Sequence, residues 1–308
     1  MTPLEFCKQL KGVFGFPVTP FNKDLSLDLD GLARNVEEMV RYPFCALVAA
    51  GGTGELYSMN AGVVEKVVKV TVQAANGKMP VVAGTGFNVP IGREMAQRVE
   101  KAGAECLLVL PPYYSNAPES GLFDYYKAIG EASSLPMMIY SRDWAVFTPE
   151  QVARLADHVP TLAAWKDGQG DVKKYQRIMN YNGDRLAWFG GLGDDCVPGY
   201  FAIGVQAYTS SISNIAPKVS LALAEAGMAR DFATLDVLMK KYVHPLYALR
   251  ERGRGYEVSA MKVAMEALGM AAGPVRPPLN ECKAQDAADI RELMKVYEDM
   301  LESKAAVV

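Results

Sequence analysis

Residues 162–171 read LAAWKDGQGD, a short apolar run that ends on Lys166 and continues directly into a polar segment containing two glycines. The apolar character of the run is nearly continuous rather than alternating. This pattern is typical of a parallel β-strand that is covered on both faces. A lysine at the end of such a strand is either a solvated strand end or a nucleophile held in a dry pocket.

Seven other runs of the same kind occur along the chain, each ending in glycine or a polar residue and each followed by an amphipathic stretch. The eight strand candidates are VFGFPVT (13–19), ALVAAGG (46–52), VVAGTG (81–86), CLLVLPP (106–112), MMIYS (137–141), LAAWK (162–166), LAWFGG (186–191) and VQAYTSS (205–211). Stretches of helical length separate them, at 28–41, 61–75, 91–102, 121–133, 149–157, 171–181, 194–203 and 217–228. Thr148 and Pro149 have the residue types of a helix N-cap followed by a first-turn proline.

Eight strand–helix units predict an α/β fold of the (β/α)8 or TIM-barrel type more naturally than an open doubly wound sheet. Three further helical stretches follow at 231–252, 256–269 and 285–303, with the Gly/Pro-rich AAGPVRPPLN before the last of them. No low-complexity or charged linker separates them from the rest. We therefore predict a catalytic barrel over 1–228 and a C-terminal helical extension over 229–308 that packs on it.

Composition excludes several classes of function. Half of the 308 residues are apolar, 22% are charged, and the net charge is −3 without a basic block. The chain therefore gives no support for a nucleic-acid or membrane-surface partner, but it allows a small anionic substrate. The N-terminus lacks the features of a signal peptide, and no apolar run approaches the length of a membrane span. Five scattered cysteines without a CxxC motif indicate free thiols, so we expect a soluble, cytoplasmic protein.

Only two histidines occur, His158 and His244, and both lie in stretches that look helical. A three-histidine metal site is therefore impossible, and HExxH and paired CxxC motifs are also absent. The sequence has no GxSxG motif of a serine hydrolase. We expect structural roles for both histidines, no metal site, and acid–base chemistry carried by other side chains.

Active sites of TIM barrels lie at the carboxyl ends of the strands. At those ends this chain has one lysine, Lys166, together with tyrosines and several hydroxyls, which is the residue set of Schiff-base chemistry. The other candidates there are Thr19, Gly51 to Glu55, Thr85, Tyr113, Tyr114, Tyr140, Ser141, Arg142, Gly190, Gly191, Thr209, Ser210 and Ser211.

A lysine amine attacks a ketone only when it is neutral, so its ordinary pKa of about 10.4 must be lowered by burial or by nearby cations. We expect Ala164 and Trp165 to provide that burial for Lys166. Tyr140 stands 26 residues earlier, one strand–helix unit away, so its phenol is expected to converge with the amine and to shuttle protons. The alternative is a strand-end lysine whose amine reaches into solvent.

The segment GGTGE (51–55) precedes a helical stretch and matches neither nucleotide-binding pattern, GxxxxGK[ST] or GxGxxG. We interpret it as a loop in which backbone amides around Gly52 and the Thr53 hydroxyl bind a substrate carboxylate. The alternative is a tight turn without a ligand. Arg142 is either a partner for a second carboxylate or a solvated surface arginine.

Several motifs together resemble the dihydrodipicolinate synthase / N-acetylneuraminate lyase superfamily of Schiff-base (β/α)8 enzymes. They are PVTPF (17–21), GGTGE (51–55), GTGFN (84–88), PPYY (111–114), IYSRD (139–143), WKDGQGD (165–171) and SNIAP (213–217). The resemblance implies that Lys166 forms the Schiff base, that Tyr140 is the catalytic tyrosine, and that Gly52 and Thr53 bind the carboxylate of an α-keto acid. It also implies a homotetramer built from dimers, in which Tyr114 reaches into the neighbouring subunit's site.

Within this superfamily, four segments resemble the 5-dehydro-4-deoxyglucarate dehydratase family most. They are AAGGTGE (49–55), KDGQGD (166–171), YTSSISN (208–214) and GYEVSAMK…AAGPVRPPL (255–279). That family removes water and carbon dioxide from a keto sugar diacid, giving 2,5-dioxopentanoate. The resemblance implies that Ser210 and Asn214, with Arg142, bind substrate hydroxyls or the distal carboxylate, and Gly191 and Thr209 are further substrate-binding candidates. No metal or organic cofactor is expected, because the lysine itself is the electron sink.

Other segments, PPYYSN (111–116) and GLGDD (191–195), resemble the synthase branch, and Ser141 stands where the dehydratases usually have asparagine. A pyruvate-dependent class I aldolase or synthase, like dihydrodipicolinate synthase or N-acetylneuraminate lyase, is therefore the alternative function. A non-catalytic barrel that senses keto acids is a third hypothesis.

Overall fold

All eight apolar runs form β-strands in a computed structural model of the protein, which describes residues 1–298. The strands are β1 (Gly12–Gly15), β2 (Ala46–Ala49), β3 (Val81–Phe87), β4 (Cys106–Pro112), β5 (Met137–Arg142), β6 (Leu162–Gly168), β7 (Ala187–Gly190) and β8 (Ala207–Ser210). Predicted strand 1 is shorter than expected, because it ends before Pro17, whose ring nitrogen has no hydrogen to donate to a ladder. Each of the other predicted runs overlaps its strand.

The strands pair in chain order, all parallel, and β1 pairs with β8 to close the barrel. In the closing pair, Gly12 aligns with Ala207 and Gly15 with Ser210. The predicted (β/α)8 barrel is therefore confirmed. A closed parallel barrel places the carboxyl ends of all eight strands at one rim, where the functional side chains are expected to meet.

The helices are α1 (Pro3–Gln9), α2 (Leu29–Met39), α3 (Ala61–Ala75), α4 (Val89–Lys101), α5 (Glu119–Gly130), α6 (Pro149–His158), α7 (Val172–Asn182), α8 (Val197–Ala202), α9 (Pro217–Met228), α10 (Phe232–Leu238), α11 (His244–Arg250), α12 (Tyr256–Ala267) and α13 (Ala284–Leu293). The predicted N-cap Thr148 is confirmed, and with Gln151 it forms a capping box. Helix α1 was not predicted; it contacts β6 and β7, next to the amino ends of the strands.

Two apolar layers hold the barrel together. The inner layer fills the barrel and includes Phe14, Leu108 and Phe189, whereas the outer layer lies between the strands and the helices and includes Trp165. Alternate residues of a strand point to opposite faces, so Lys166 points into the barrel and Trp165 points out of it. Among residues 1–298, no helix is long and apolar enough to cross a membrane.

Two of the helices after Met228, α11 and α12, contact the loops at the carboxyl rim of the barrel. Lys262 of α12 forms a buried ion pair with Glu55, 2.6 Å between Nζ and Oε1, and Tyr247 of α11 accepts a hydrogen bond from the backbone N–H of Asp194. The extension is therefore tied to the loops that follow β2 and β7. The division into 1–228 and 229–308 stays a prediction.

The predicted extension helices differ in their bounds. The stretch 231–252 is divided into α10, a π-helical turn at 239–243, and α11. The predicted helix 285–303 is α13 followed by a 3-10 turn through Tyr297, and its last positions, 299–303, lie outside the described residues.

Candidate active site

A cavity of about 500 Å³ opens at the carboxyl rim of the barrel, within the size range of small-molecule sites. The structure brings eight of the ten predicted site residues to its walls. They are Gly52, Thr53, Tyr140, Arg142, Lys166, Gly191, Thr209 and Ser210. Asn214 and Tyr114 are not among the lining residues.

Lys166 lies at the inner wall of this cavity and is only 2% exposed. Its Cα is the direct partner of the Tyr140 Cα in the β5–β6 pair, so both side chains enter the barrel at the same level. The lysine Nζ lies 3.4 Å from the centroid of the Tyr140 ring and 4.8 Å from that of Phe16. The alternative of an amine that reaches into solvent does not fit this burial.

Burial lowers the pKa of the Lys166 amine well below its ordinary value, because an aromatic pocket solvates the ammonium form poorly. The positive charge of Arg142 lowers this pKa further, while the neighbouring Asp167 carboxylate opposes the shift. Burial raises the pKa of the Tyr140 phenol. The amine is thereby shifted toward its neutral, nucleophilic form, and the phenol is held in its protonated form.

The source of this burial differs from the sequence-based prediction. Trp165 packs edge-to-face on Phe147 outside the barrel, with 5.0 Å between the ring centroids, so it does not cover the amine. Ala164 does belong to the inner layer, two residues before Lys166. The rings of Tyr140 and Phe16 desolvate the amine instead, because side-chain direction alternates along a strand.

The backbone carbonyl of Gly191 connects two side chains of the cavity wall. It accepts hydrogen bonds from the Tyr140 hydroxyl at 3.0 Å and from the Thr209 hydroxyl at 3.3 Å. A Cβ at position 191 would lie 2.4 Å from Cγ of Lys166 and 2.2 Å from the Asp167 carbonyl oxygen. Glycine at this position therefore leaves room for the lysine stem while its carbonyl orients the phenol.

The loop after β2 presents Gly52 and Thr53 to the cavity and is held from behind. Thr19 donates a hydrogen bond to the Gly54 carbonyl at 2.7 Å, and the Arg276 backbone N–H donates to Oε2 of Glu55 at 2.9 Å. Glu55 adopts a left-handed conformation, φ 58°, and its carboxylate is fully buried against Lys262. The loop is thus fixed in place, which suits binding of a carboxylate by its amides.

Arg142 lines the cavity, but its guanidinium already has an anionic partner. Its Nε donates to Oδ2 of Asp143 at 2.7 Å, and the guanidinium lies 5.3 Å from the centroid of the Tyr140 ring. Asp143 also lines the cavity. Arg142 therefore affects the charge around Lys166 and Tyr140, while its capacity for a substrate carboxylate is reduced.

Two side chains that were predicted to bind substrate form hydrogen bonds with other groups of the protein. The Asn214 amide donates to the Phe16 and Ser211 carbonyls and accepts from the Val18 N–H, so it ties the end of β1 to the loop after β8. The Ser210 hydroxyl donates to the buried carboxylate of Asp194. Both side chains are nearly inaccessible, and their contact with substrate stays a prediction.

Tyr114 stands outside the cavity of its own chain with 63% of its surface exposed, beside Tyr113 at 89%. The proposed reach of Tyr114 into a neighbouring subunit remains a prediction. Neither His158 nor His244 lines the cavity. Among residues 1–298, no three His, Cys, Asp or Glu side chains cluster as a metal site would require.

Several side chains of the cavity were not predicted from the sequence, and four of them bear on its shape and charge. Phe16 and Tyr57 come from the segments after β1 and β2, whereas Arg250 and Glu257 come from the extension. Tyr57 follows GGTGE by only two residues, which is a usable signal. Arg250 and Glu257 lie in a polar stretch, LRERGRGYE (249–257), that is indistinguishable from an exposed helix end by sequence alone.

Comparison with known proteins decides the family of this barrel. The sequence profile of the Dihydrodipicolinate synthetase family matches residues 9–297. The chain belongs to this family.

Several relatives of this Dihydrodipicolinate synthetase family member carry a more specific name. One, the "Probable 5-dehydro-4-deoxyglucarate dehydratase" of Bradyrhizobium diazoefficiens, is 39% identical over 298 residues, which cover 96% of this chain and 95% of the relative. Solved structures of dihydrodipicolinate synthases have the same fold as this chain. The dihydrodipicolinate synthase of Oceanobacillus iheyensis superimposes with a TM-score of 0.90 at 28% identity, covering 96% of this chain and 99% of that one.

A second solved relative has been described together with a bound ligand. The dihydrodipicolinate synthase of Acinetobacter baumannii, described as chloride-inhibited and complexed with pyruvate, gives a TM-score of 0.85 at 26% identity. The match covers 94% of this chain and 99% of that one. The family assignment thus rests on nearly the whole barrel and extension, as the sequence motifs predicted.

Proposed function

We propose that the protein is a decarboxylating dehydratase that converts 5-dehydro-4-deoxy-D-glucarate to 2,5-dioxopentanoate, water and carbon dioxide through a Schiff base on Lys166. The observation that carries this proposal is the buried Lys166 amine, which faces the cavity beside the Tyr140 ring and has a lowered pKa. The names of the relatives, at 39% identity for the one in Bradyrhizobium diazoefficiens, support this substrate.

The first step joins the amine to the substrate. The neutral Nζ adds to the C5 keto carbon, the carbinolamine loses one water, and an iminium forms. The C6 carboxylate, next to the keto carbon, is assigned to the amides of the loop that carries Gly52 and Thr53. Tyr140, protonated and hydrogen-bonded to the Gly191 carbonyl, is the proton donor and acceptor for the carbinolamine.

The iminium then accepts electrons twice. Loss of a proton from C4 gives an enamine, which expels the C3 hydroxyl as water and leaves a conjugated iminium. Cleavage of the bond between C1 and C2 releases carbon dioxide, and its electron pair moves into the conjugated system. Reprotonation and hydrolysis, which consumes the water released at the first step, give the semialdehyde and return free Lys166. The sum is one water and one carbon dioxide per substrate.

The alternative is a pyruvate-dependent aldolase or synthase, and the 28% identity to the Oceanobacillus iheyensis synthase favours it to a lesser degree. Both functions begin with the same iminium. They differ in the fate of the substrate: only the dehydratase releases carbon dioxide from a diacid without a second, aldehyde substrate.

The deciding experiment incubates the purified protein with 5-dehydro-4-deoxyglucarate and measures both products, carbon dioxide and semialdehyde. Release of both in equal amounts is expected. Release of neither, with pyruvate consumed together with an aldehyde, would replace the dehydratase by the aldolase or synthase.

Borohydride reduction in the presence of a keto acid, followed by peptide mass analysis, tests the covalent step. The expected adduct lies on Lys166 and disappears in Lys166→Ala. The control variant Lys173→Ala removes an exposed lysine of α7 and should keep the adduct. A protein that binds keto acids without any adduct would be the non-catalytic sensor.

The proposal has three further parts. The scheme needs no metal or organic cofactor, because the iminium is the electron sink, and activity that is lost on treatment with EDTA would contradict it. A homotetramer is proposed from the resemblance. A cytoplasmic location is proposed from the five cysteines, all of which are unpaired in the structure.

A further inference from the structure

Arg250, the last residue of α11, brings a positive charge from the C-terminal extension into the cavity that contains Lys166. The extension contributes one wall of this cavity, and Glu257 and Leu279 are part of the same wall. Since this wall lies outside the eight strand–helix units, its side chains can differ between relatives that share the same imine chemistry.

The guanidinium of Arg250 is held in place by neutral groups. It stacks on Tyr247, 4.4 Å from the ring centroid, and its Nη1 donates a hydrogen bond to the Ser211 hydroxyl at 3.0 Å. Its Nε is buried without a hydrogen-bond partner among residues 1–298. A buried donor without an acceptor costs free energy, which an incoming carboxylate would remove.

The carboxylates near Arg250 do not pair with its guanidinium in the way that Asp143 pairs with that of Arg142. Asp194 is fully buried and accepts hydrogen bonds from the Ser210 hydroxyl and from the backbone N–H groups of Ser211 and Ile212. Asp195 also lies near Arg250, whose charge opposes the rise that burial causes in the pKa of the Asp195 carboxyl. Arg142, in contrast, donates from both Nε and Nη2 to Asp143.

The two arginines occupy different sectors of the rim. Arg142 ends β5, whereas Arg250 contacts Ser211 directly after β8, and β6 with Lys166 lies between these strands in the barrel order. Burial raises the pKa of the Tyr57 phenol, and the charges of Glu55 and then Glu257 raise it further, so Glu257, the anionic residue of the extension wall, lies toward the loop after β2. The extension wall is therefore cationic near β8 and anionic near β2.

We propose that Arg250 binds the carboxylate at the far end of a dicarboxylic α-keto acid and thereby selects diacids over monoacids. This inference rests on the proposed Schiff-base function, in which the keto carbon is bonded to Lys166 and the adjacent carboxylate lies on the loop of Gly52 and Thr53. The remaining carbons then extend away from that loop, and the distal carboxylate meets the guanidinium near β8. Arginine suits this role because its fork of N–H donors matches a carboxylate.

The positive charge of Arg250 also suits the step in which carbon dioxide is lost. The distal carboxylate leaves as neutral carbon dioxide, so its attraction to Arg250 ends with bond cleavage and the semialdehyde is held less tightly than the substrate. Arg250 therefore acts on recognition of the diacid and on the difference between substrate and product affinity, whereas imine formation belongs to Lys166.

The test compares two keto acids of equal length in borohydride trapping. The diacid 2-oxoadipate has the carbon chain of the proposed substrate without its hydroxyls, and 2-oxohexanoate is the matched monoacid. In the wild type, half-maximal trapping is expected at about 10- to 100-fold lower concentration of the diacid, the range of a charge-assisted hydrogen bond. Arg250→Gln should abolish this preference and leave trapping of pyruvate, which has no distal carboxylate, unchanged.

Two further variants separate recognition from folding. Arg250→Lys keeps the positive charge but not the fork of N–H donors. It should recover part of the preference for the diacid over the monoacid. Arg254→Gln makes the same substitution at an exposed position outside the cavity and should keep all of it. An unchanged preference in Arg250→Gln, or equal losses for diacid, monoacid and pyruvate, would overturn the inference while leaving the Schiff base intact. A wild type that traps none of the three keto acids would overturn the proposed function itself.

Discussion

The Nζ atom of Lys166 lies 3.4 Å from the centroid of the Tyr140 ring, and the Cα atoms of the two residues are direct partners in the β5–β6 pair. The contact has two consequences. The ring takes the place of water around the amine, which favours the neutral form, and the phenolic hydroxyl is held at the same level of the barrel by the Gly191 carbonyl.

Tyr140→Phe keeps the ring and removes the hydroxyl. Burial of Lys166 should persist, while turnover should fall by about 10²- to 10⁴-fold, the usual contribution of a positioned acid–base group. The measurement is kcat with the diacid substrate, together with the thermal midpoint as a check on folding. Tyr181→Phe, at an exposed position, is the control and should keep full activity. Full activity in Tyr140→Phe would remove the phenol from the mechanism.

Arg142→Gln should shift the pH dependence of imine formation. The charge of Arg142 lowers the pKa of Lys166, so its removal raises that pKa and decreases the neutral fraction of the amine at a given pH. The acidic limb of borohydride trapping is therefore expected to move to higher pH. The profile should be recorded at saturating pyruvate, so that weaker binding does not distort it.

The matched variant for this profile is Arg154→Gln, whose guanidinium lies over Phe123 and outside the cavity. Its acidic limb should coincide with that of the wild type. A limb that moves to lower pH in Arg142→Gln would show that the charge of this arginine does not act on the amine as described.

Gly191→Ala tests the space that the lysine stem requires. The added Cβ would lie 2.4 Å from Cγ of Lys166, closer than such atoms approach in proteins, so the side chain or the strand must move. A displacement of about 1 Å at a reacting group costs on the order of 100-fold in rate, and we expect trapping and turnover to fall by this amount. Gly62→Ala in α3 is the control, because a Cβ there meets only the Asn60 side chain, at 3.6 Å. Normal trapping by Gly191→Ala would contradict the packing described here.

The buried ion pair between Lys262 and Glu55 joins the extension to the loop that carries Gly52 and Thr53. Lys262→Met leaves the Glu55 carboxylate buried without its cation, and the free energy of unfolding should fall by about 3–5 kcal/mol. Adding Glu55→Gln should recover part of this loss, because a neutral amide is cheaper to bury and still accepts from the Arg276 N–H. Chemical denaturation of the two single variants and the double variant measures the coupling; additive losses would show that the pair does not act as a unit.

Tyr114 tests the proposed assembly. Since it is exposed and lies outside the cavity of its own chain, it can contact substrate only in a neighbouring subunit. Light scattering should give four times the 33.5 kDa chain mass, and Tyr114→Phe should lower activity while Tyr113→Phe does not. A fully active monomer would show that the assembly implied by the resemblance is wrong for this chain.

The sequence by itself determined the barrel and the centre of its site. Eight apolar runs separated by helix-length segments favour a closed barrel of parallel strands over an open sheet, and a spacing of one strand–helix unit places Tyr140 beside Lys166 on the neighbouring strand. These features are local or periodic, so they are present in the order of residues before the chain folds.

Only the tertiary structure decided what surrounds that centre. It placed Phe16 beside the Lys166 amine, committed Ser210 and Asn214 to hydrogen bonds inside the protein, and brought Arg250 into the cavity. These contacts join residues that are not neighbours in the chain, and they depend on barrel closure or, for Arg250, on the packing of α11 against the rim. No local pattern specifies them, because a side chain's partners across a closed barrel are determined by geometry that exists only after folding.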